Sequence, residues 1–110
     1  MPVMQFLAWL QETGGLKGTD IANFTGVSTA IVSRWTSDQE LPHPHTQLVL
    51  SDLSYVVRRL SEYHGQEEVR AWLYAHHPQL DGARAVDLIR DERTEEVVAL
   101  LDRLDADAYL

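Results

Sequence analysis

Cysteine is absent from the 110 residues, basic side chains are few, and no long apolar run occurs. Without cysteine the chain has no disulfide and no thiolate metal site, which fits a cytoplasmic protein. The apolar stretches fall short of the ~18 residues that identify a membrane-spanning helix, and the N-terminus lacks the basic start and apolar core of a signal peptide. We therefore expect a cytoplasmic protein with no membrane partner.

Lysine and arginine together number 9, against 17 aspartates and glutamates, so the formal net charge is −8. A surface that binds nucleic acid through bulk charge needs clustered cations. Any DNA contact must therefore come from local geometry or from a complex. The acidic residues are densest in residues 81–110, which places most of the negative charge at the C-terminal end.

Apolar residues recur at helical spacing along the whole chain, and no segment shows the alternation of a strand, which predicts an all-α fold. The length suits one domain or two small helical units that share a core. The first predicted helix ends at Gly14-Gly15, the second is capped by Thr19 and runs through Phe24, and the third is capped by Ser28 and ends near Asp38. The fourth begins at Thr46 or at the prolines before it. Three more helices are predicted over residues 66–75, 85–90 and 94–105.

The fourth predicted helix has an unusually wide apolar face. Leu48, Leu50 and Tyr55 widen a stripe that runs from Val49 to Leu60. Such a face contacts more than one neighbour, and it offers a surface for self-association. The Arg58-Arg59 pair on the same helix is interpreted as a solvated face, with interface salt bridges as the alternative.

Residues 18–35 have the pattern of a helix-turn-helix, because Gly26 allows a tight turn and Ser28 can cap a second helix. The pattern resembles the Xre/Cro-like class. If the second helix reads DNA, the candidate contacts are Ser28, Thr29, Ser33 and Arg34. The alternative is a motif that serves only packing or dimerisation, since fold does not dictate function.

The second half of the chain resembles the toxin-binding domain of the Xre/MbcA/ParS antitoxin family. The residues that carry the resemblance are Trp72-Leu73, Pro78-Gln79-Leu80, Gly82, Asp87-Leu88-Ile89, Val97-Val98, Leu100-Leu101, Leu104 and Tyr109-Leu110. Two positions depart from the family pattern: Ala85 stands where proline is usual, and Asp107 where glycine is usual. We expect a helix-turn-helix region over residues 1–45 and an antitoxin domain over residues 46–110.

The resemblance implies a protein partner, namely a RES-domain toxin similar to ADP-ribosyltransferases that depletes NAD. Family antitoxins are thought to place their C-terminal end at the toxin's NAD entrance. The residues expected to bind the toxin are Asp105, Ala106, Asp107, Ala108, Tyr109 and Leu110. The aspartates and terminal carboxylate match a pyrophosphate in charge, and the last two residues supply apolar anchors. The alternative is that these two residues fold back over the last helix.

We therefore predict an antitoxin that binds and neutralises such a toxin, represses its own operon, and forms homo-oligomers and hetero-oligomers with the toxin. The alternative is a helix-turn-helix transcriptional regulator that acts without a toxin. An enzyme has the least support, because no catalytic residue, metal site or cofactor is indicated. Neither His43 and His45 nor His76 and His77 have the i, i+4 spacing that aligns two imidazoles on one helix face.

Overall fold

The computed structural model describes residues 3–108, and the side chains of residues 5–107. This part of the chain contains seven α-helices, a 3₁₀ turn and no strand, with an isolated bridge between His76 and Arg84. The all-α prediction is confirmed. The helices are α1 (Val3–Gly14), α2 (Gly18–Thr25), α3 (Thr29–Thr36), α4 (Pro44–Ser61), α5 (Gln66–Tyr74), α6 (Ala85–Arg90) and α7 (Thr94–Ala108), with the 3₁₀ turn at Pro78–Leu80.

Local chemistry explains most of the helix ends. The Ser28 hydroxyl accepts a hydrogen bond from the Ile31 N–H (3.3 Å), which caps α3 as predicted. Gly26 adopts the left-handed conformation that ends α2 (φ 76°). Helix α4 begins at Pro44 rather than at Thr46, and the sequence allows both starts. Proline suits the first position of a helix because its missing N–H would have no partner there.

Two predicted helix ends are wrong. Helix α2 begins at Gly18 rather than after a Thr19 cap, because the Asp20 carboxylate accepts a hydrogen bond from the Lys17 N–H (2.8 Å). Helix α7 continues to Ala108 rather than ending at residue 105. No glycine or proline lies between residues 94 and 108, so nothing in the local sequence stops the helix.

Helix α4 lies at the centre of the core. Its side chains from Val49 to Leu60 on the apolar stripe are buried, and α1, α5, α6 and α7 pack around it. Helix α2 packs on α3 and α6. Buried side chains from residues 1–45 and from residues 46–110 pack together in one apolar cluster. The boundary between the two regions at residue 45 stays a prediction.

A polar network joins the helix-turn-helix to α5. The Asp20 side chain is only 12% exposed and accepts hydrogen bonds from Arg70 Nη1 and from the Tyr74 hydroxyl (3.2 Å). Burial alone raises the pKa of Asp20, but the bonds from Arg70 and the Lys17 N–H outweigh it and hold the pKa below its ordinary value. The guanidinium of Arg70 also lies 4.9 Å from the centre of the Tyr74 ring. This network fixes α2 against the C-terminal helices.

None of the helices in the described range combines the length and the apolar character needed to cross a membrane.

Candidate functional site

The end of α7 is held against α4 by one arginine. Arg59 Nη1 lies 2.9 Å from an Asp102 oxygen, and Arg59 Nη2 lies 2.7 Å from an Asp105 oxygen. The Arg59 side chain is only 17% exposed, and its Nη1 also donates to the Tyr55 hydroxyl (3.3 Å). The hydrogen bonds with Tyr55 and Asp105 raise the pKa of Arg59. We call Arg59, Asp102 and Asp105 the Arg59 clamp.

A mainly apolar cleft of about 170 Å³ lies between α7, α5, the last turn of α4 and the residues that follow it, and Arg59 and Asp105 of the clamp form part of its wall. Its walls include Leu60, Trp72, Leu101 and Leu104. Leu104 is 42% exposed although it continues the buried stripe of α7. Exposed apolar surface next to charged side chains is typical of protein interfaces. The cleft therefore favours contact with another protein over catalysis.

The six residues predicted to bind a toxin fall partly within the described range. Asp105, Ala106 and Asp107 belong to the last turn of α7, and Ala108 is the last residue of the helix. Ala106 and Asp107 are exposed, whereas Asp105 is half-buried in the clamp. Tyr109 and Leu110 lie outside the described residues. The segment that the sequence suggested as a tail is thus helical as far as Ala108.

The four candidate DNA contacts, Ser28, Thr29, Ser33 and Arg34, are all exposed at or along α3. The Ser28 hydroxyl is engaged in capping, and Arg34 Nη1 lies 3.9 Å from a Glu40 oxygen. Arg34 is the only basic residue of α3. The predicted residues are thus all accessible, but α3 supplies little positive charge for phosphates.

The wide face of α4 is only partly buried in the chain's own core. Leu50 is buried, as are the stripe residues, whereas Leu48 is 59% and Tyr55 38% exposed. Near Tyr55 a second groove runs between α4 and α1, where Phe6 and Trp9 form one wall. The exposed part of the face keeps the apolar character expected of a self-association surface.

The histidines serve local structure. His76 Nδ1 lies 2.7 Å from the Gly82 carbonyl oxygen, and His77 Nε2 lies 2.8 Å from the Trp72 carbonyl oxygen. Within the residues that the structure describes, no group of three or more His, Cys, Asp or Glu side chains has the arrangement of a metal site.

From the sequence, Arg59 is interpreted as part of a solvated face, and the clamp is not predicted. That interpretation is wrong for Arg59, because two carboxylates of α7 enclose its guanidinium. Asp105 lies 46 positions away in the chain, so no local spacing signals the pair. The only sign of the clamp in the sequence is the position of Arg59 next to an apolar stripe. Arginine side chains at such positions often bury their aliphatic part and keep the charged group at the surface.

Comparison with known proteins shows which family these surfaces resemble. Residues 59–106 match the family model described as the antitoxin Xre/MbcA/ParS C-terminal toxin-binding domain. This part of the chain is therefore similar to the toxin-binding domain of that antitoxin family. Arg59 and Asp105 therefore lie at the two ends of the matched region, and the clamp joins those ends in space.

Two curated relatives extend the similarity beyond that region. The mycobacterial cidal antitoxin MbcA of Mycobacterium tuberculosis is 28% identical over 93 residues, which cover 84% of this chain and 82% of MbcA. MbcA of Mycobacterium bovis matches to the same extent. Both relatives are antitoxins, a class without enzymatic activity, and this similarity agrees with the prediction that this chain is not an enzyme.

A solved structure shows the same fold. A chain in the crystal structure of the M. tuberculosis MbcT-MbcA toxin-antitoxin complex aligns with a TM-score of 0.82 and 24% sequence identity. The alignment covers 97% of this chain and 96% of that one. The arrangement of the helix-turn-helix and the C-terminal helices is therefore shared along almost the whole length.

Proposed function

We propose that this antitoxin neutralises a RES-domain toxin that degrades NAD, by placing its C-terminal end in the toxin's active site. The observation that carries the proposal is the position of the apolar cleft beside the last turn of α7. One face thus combines an apolar contact area with the end of the chain, within the family's toxin-binding region. The name of the MbcT-MbcA complex supports a toxin as the partner. The RES class rests on the resemblance in the sequence.

Helix α7 is suited to deliver the chain end as a rigid arm. Its 15 residues span about 22 Å at the rise of an α-helix. The exposed Asp107 lies near the tip of this arm, and Tyr109 and Leu110 follow it in the sequence. An anionic tip is complementary to a site that binds a pyrophosphate, and an aromatic residue is a strong anchor in an interface. Occlusion by this tip needs no catalytic group on the antitoxin.

Removal of residues 106–110 tests the proposal. The toxin is sought in the reading frame next to the antitoxin gene, where we expect a RES-domain protein, and its NAD consumption is followed with increasing antitoxin. The shortened chain is expected to retain the complex, through the cleft, and to lose most of the inhibition. Glu12→Gln, at an exposed acid on α1, serves as the control and is expected to inhibit like the natural chain. Full inhibition by the shortened chain would exclude occlusion by the tail.

We further propose that the protein represses its own operon from the cytoplasm, in homo-oligomers or in hetero-oligomers with the toxin. The exposed residues of α3 favour this activity, while the net charge of −8 makes a lone chain a poor DNA ligand. Self-association through Leu48 and Tyr55 would bring two α3 helices to one operator. Arg34→Ala is expected to reduce operator binding and leave toxin inhibition unchanged. A regulator that acts without a toxin, the second candidate, predicts tight operator binding by the purified protein alone.

A further inference from the structure

The last turn of α7 carries charges of the wrong sign for a helix end. The C-terminal end of a helix is electronegative, so acidic residues there destabilise the last turn. In the last two turns Asp102, Asp105 and Asp107 outnumber the one basic residue, Arg103, and the last turn itself contains no basic residue. Left to itself this turn would fray, because terminal turns gain little from local hydrogen bonds alone.

Arg59 supplies the missing positive charge from a different helix. Its guanidinium contacts the carboxylates of Asp102 and Asp105 at 2.9 Å and 2.7 Å. The backbone that carries it is anchored in the core, since the neighbouring Val57 and Leu60 are almost fully buried. Bonds between charged groups are stronger than neutral ones, and a side chain fixed by packing loses little entropy in making them. The clamp therefore ties the end of α7 to a helix whose apolar face is buried in the core.

We propose that Arg59 is a positioning residue, which keeps the last turn of α7 helical and so sets the direction in which residues 106–110 leave the protein. For toxin binding this inference rests on the proposed function. A chain end that is already ordered loses less conformational freedom when it enters a partner's cavity, so its affinity is higher. Arg59 also lines the cleft, so a direct contact with the toxin would be lost equally with and without residues 106–110, whereas a positioning role acts only through those residues.

The first test uses the free antitoxin and needs no toxin. Amide hydrogen exchange is measured for Arg59→Ala and for the matched control Arg58→Ala, whose exposed guanidinium lies over the Tyr55 ring at 5.3 Å. Amides of residues 104–108 are expected to exchange about tenfold faster in the Arg59 variant, the order expected for two partly exposed ion pairs. Amides at the centre of α4 are expected to keep their protection. Equal exchange of residues 104–108 in both variants would overturn the inference.

The second test combines Arg59→Ala with removal of residues 106–110 and measures the affinity for the toxin. A positioning role predicts that Arg59→Ala weakens binding about tenfold in the full chain and has little effect in the shortened one. Equal losses in both backgrounds would show a general structural effect and contradict positioning. A deletion that changes neither binding nor inhibition would contradict tail occlusion, and the exchange of residues 104–108 would still decide whether Arg59 orders the turn.

Discussion

Replacing Asp20 by alanine tests how firmly the helix-turn-helix is joined to the C-terminal helices. Only 12% of the Asp20 side chain is exposed to solvent. It accepts bonds from the Lys17 N–H, from Arg70 and from the Tyr74 hydroxyl. Alanine leaves all three donors without this acceptor, so the free energy of unfolding is expected to fall.

The size of the loss follows from the three bonds. The bond to the Lys17 N–H acts at a helix N-terminus, where losing such an acceptor costs about 1 kcal/mol. The Arg70 side chain is 39% exposed, so water replaces part of its pairing and the cost is limited to about 1 kcal/mol. The neutral bond from Tyr74 adds about 0.5–1 kcal/mol. Asp20→Ala is therefore expected to reduce the free energy of unfolding by about 2–3 kcal/mol.

Urea unfolding at pH 7 measures this change, with the exposed Glu12→Ala as the matched acidic control. The pH dependence adds a second criterion. Because the pKa of Asp20 is lowered in the folded protein, its stabilising effect is complete above its unfolded value of about 3.9 and is lost as the pH falls through the folded value. The difference between the natural chain and the variant should be constant from pH 7 to about 5 and shrink below about 4. A loss under about 0.5 kcal/mol at pH 7 would refute the reasoning.

Three further changes test the fold. Ser28→Ala removes the cap of α3 and is expected to cost about 0.5–1 kcal/mol in urea unfolding, whereas an unchanged midpoint would mean that the cap contributes nothing. Gly15→Ala places a Cβ 3.0 Å from Gln66 atoms at a φ of +67°, so thermal unfolding should show a loss of about 1–2 kcal/mol or more, and a gain in stability would contradict the strain. Leu53→Ala opens the core at a residue only 1% exposed and is expected to cost about 2–5 kcal/mol by chemical denaturation; a loss below about 1 kcal/mol would show that the core closes over the gap.

Short-range chemistry made much of the fold predictable. Helix α6 spans residues 85–90 as expected, although Ala85 replaces the usual proline, because its buried apolar residues recur at helical spacing. The Ser28 cap was also predictable, since a serine before an apolar helical stripe accepts a backbone N–H. The end of α7 was harder to place, because the sequence contains no breaker near residue 105 and long-range contacts decide how far the helix continues.

The polar contacts between distant helices could not be predicted. Asp20 meets Arg70 across 50 positions, and Arg59 meets Asp105 across 46. Helical periodicity indicates which face of a helix is buried, but it carries no information on which charged side chains at the rim of two faces meet. The family resemblance predicts the end of the chain as the toxin-binding site, whereas the Arg59 clamp is visible only in the folded structure.

Binding of NAD to the toxin is the most direct test of the central claim. Isothermal titration of NAD into an inactive variant of the toxin is compared for the toxin alone, its complex with the full antitoxin, and its complex with residues 1–105. The account predicts that the full antitoxin abolishes NAD binding and that removal of residues 106–110 restores it. NAD affinity that is the same for the free toxin and for the complex with the full antitoxin would contradict the account.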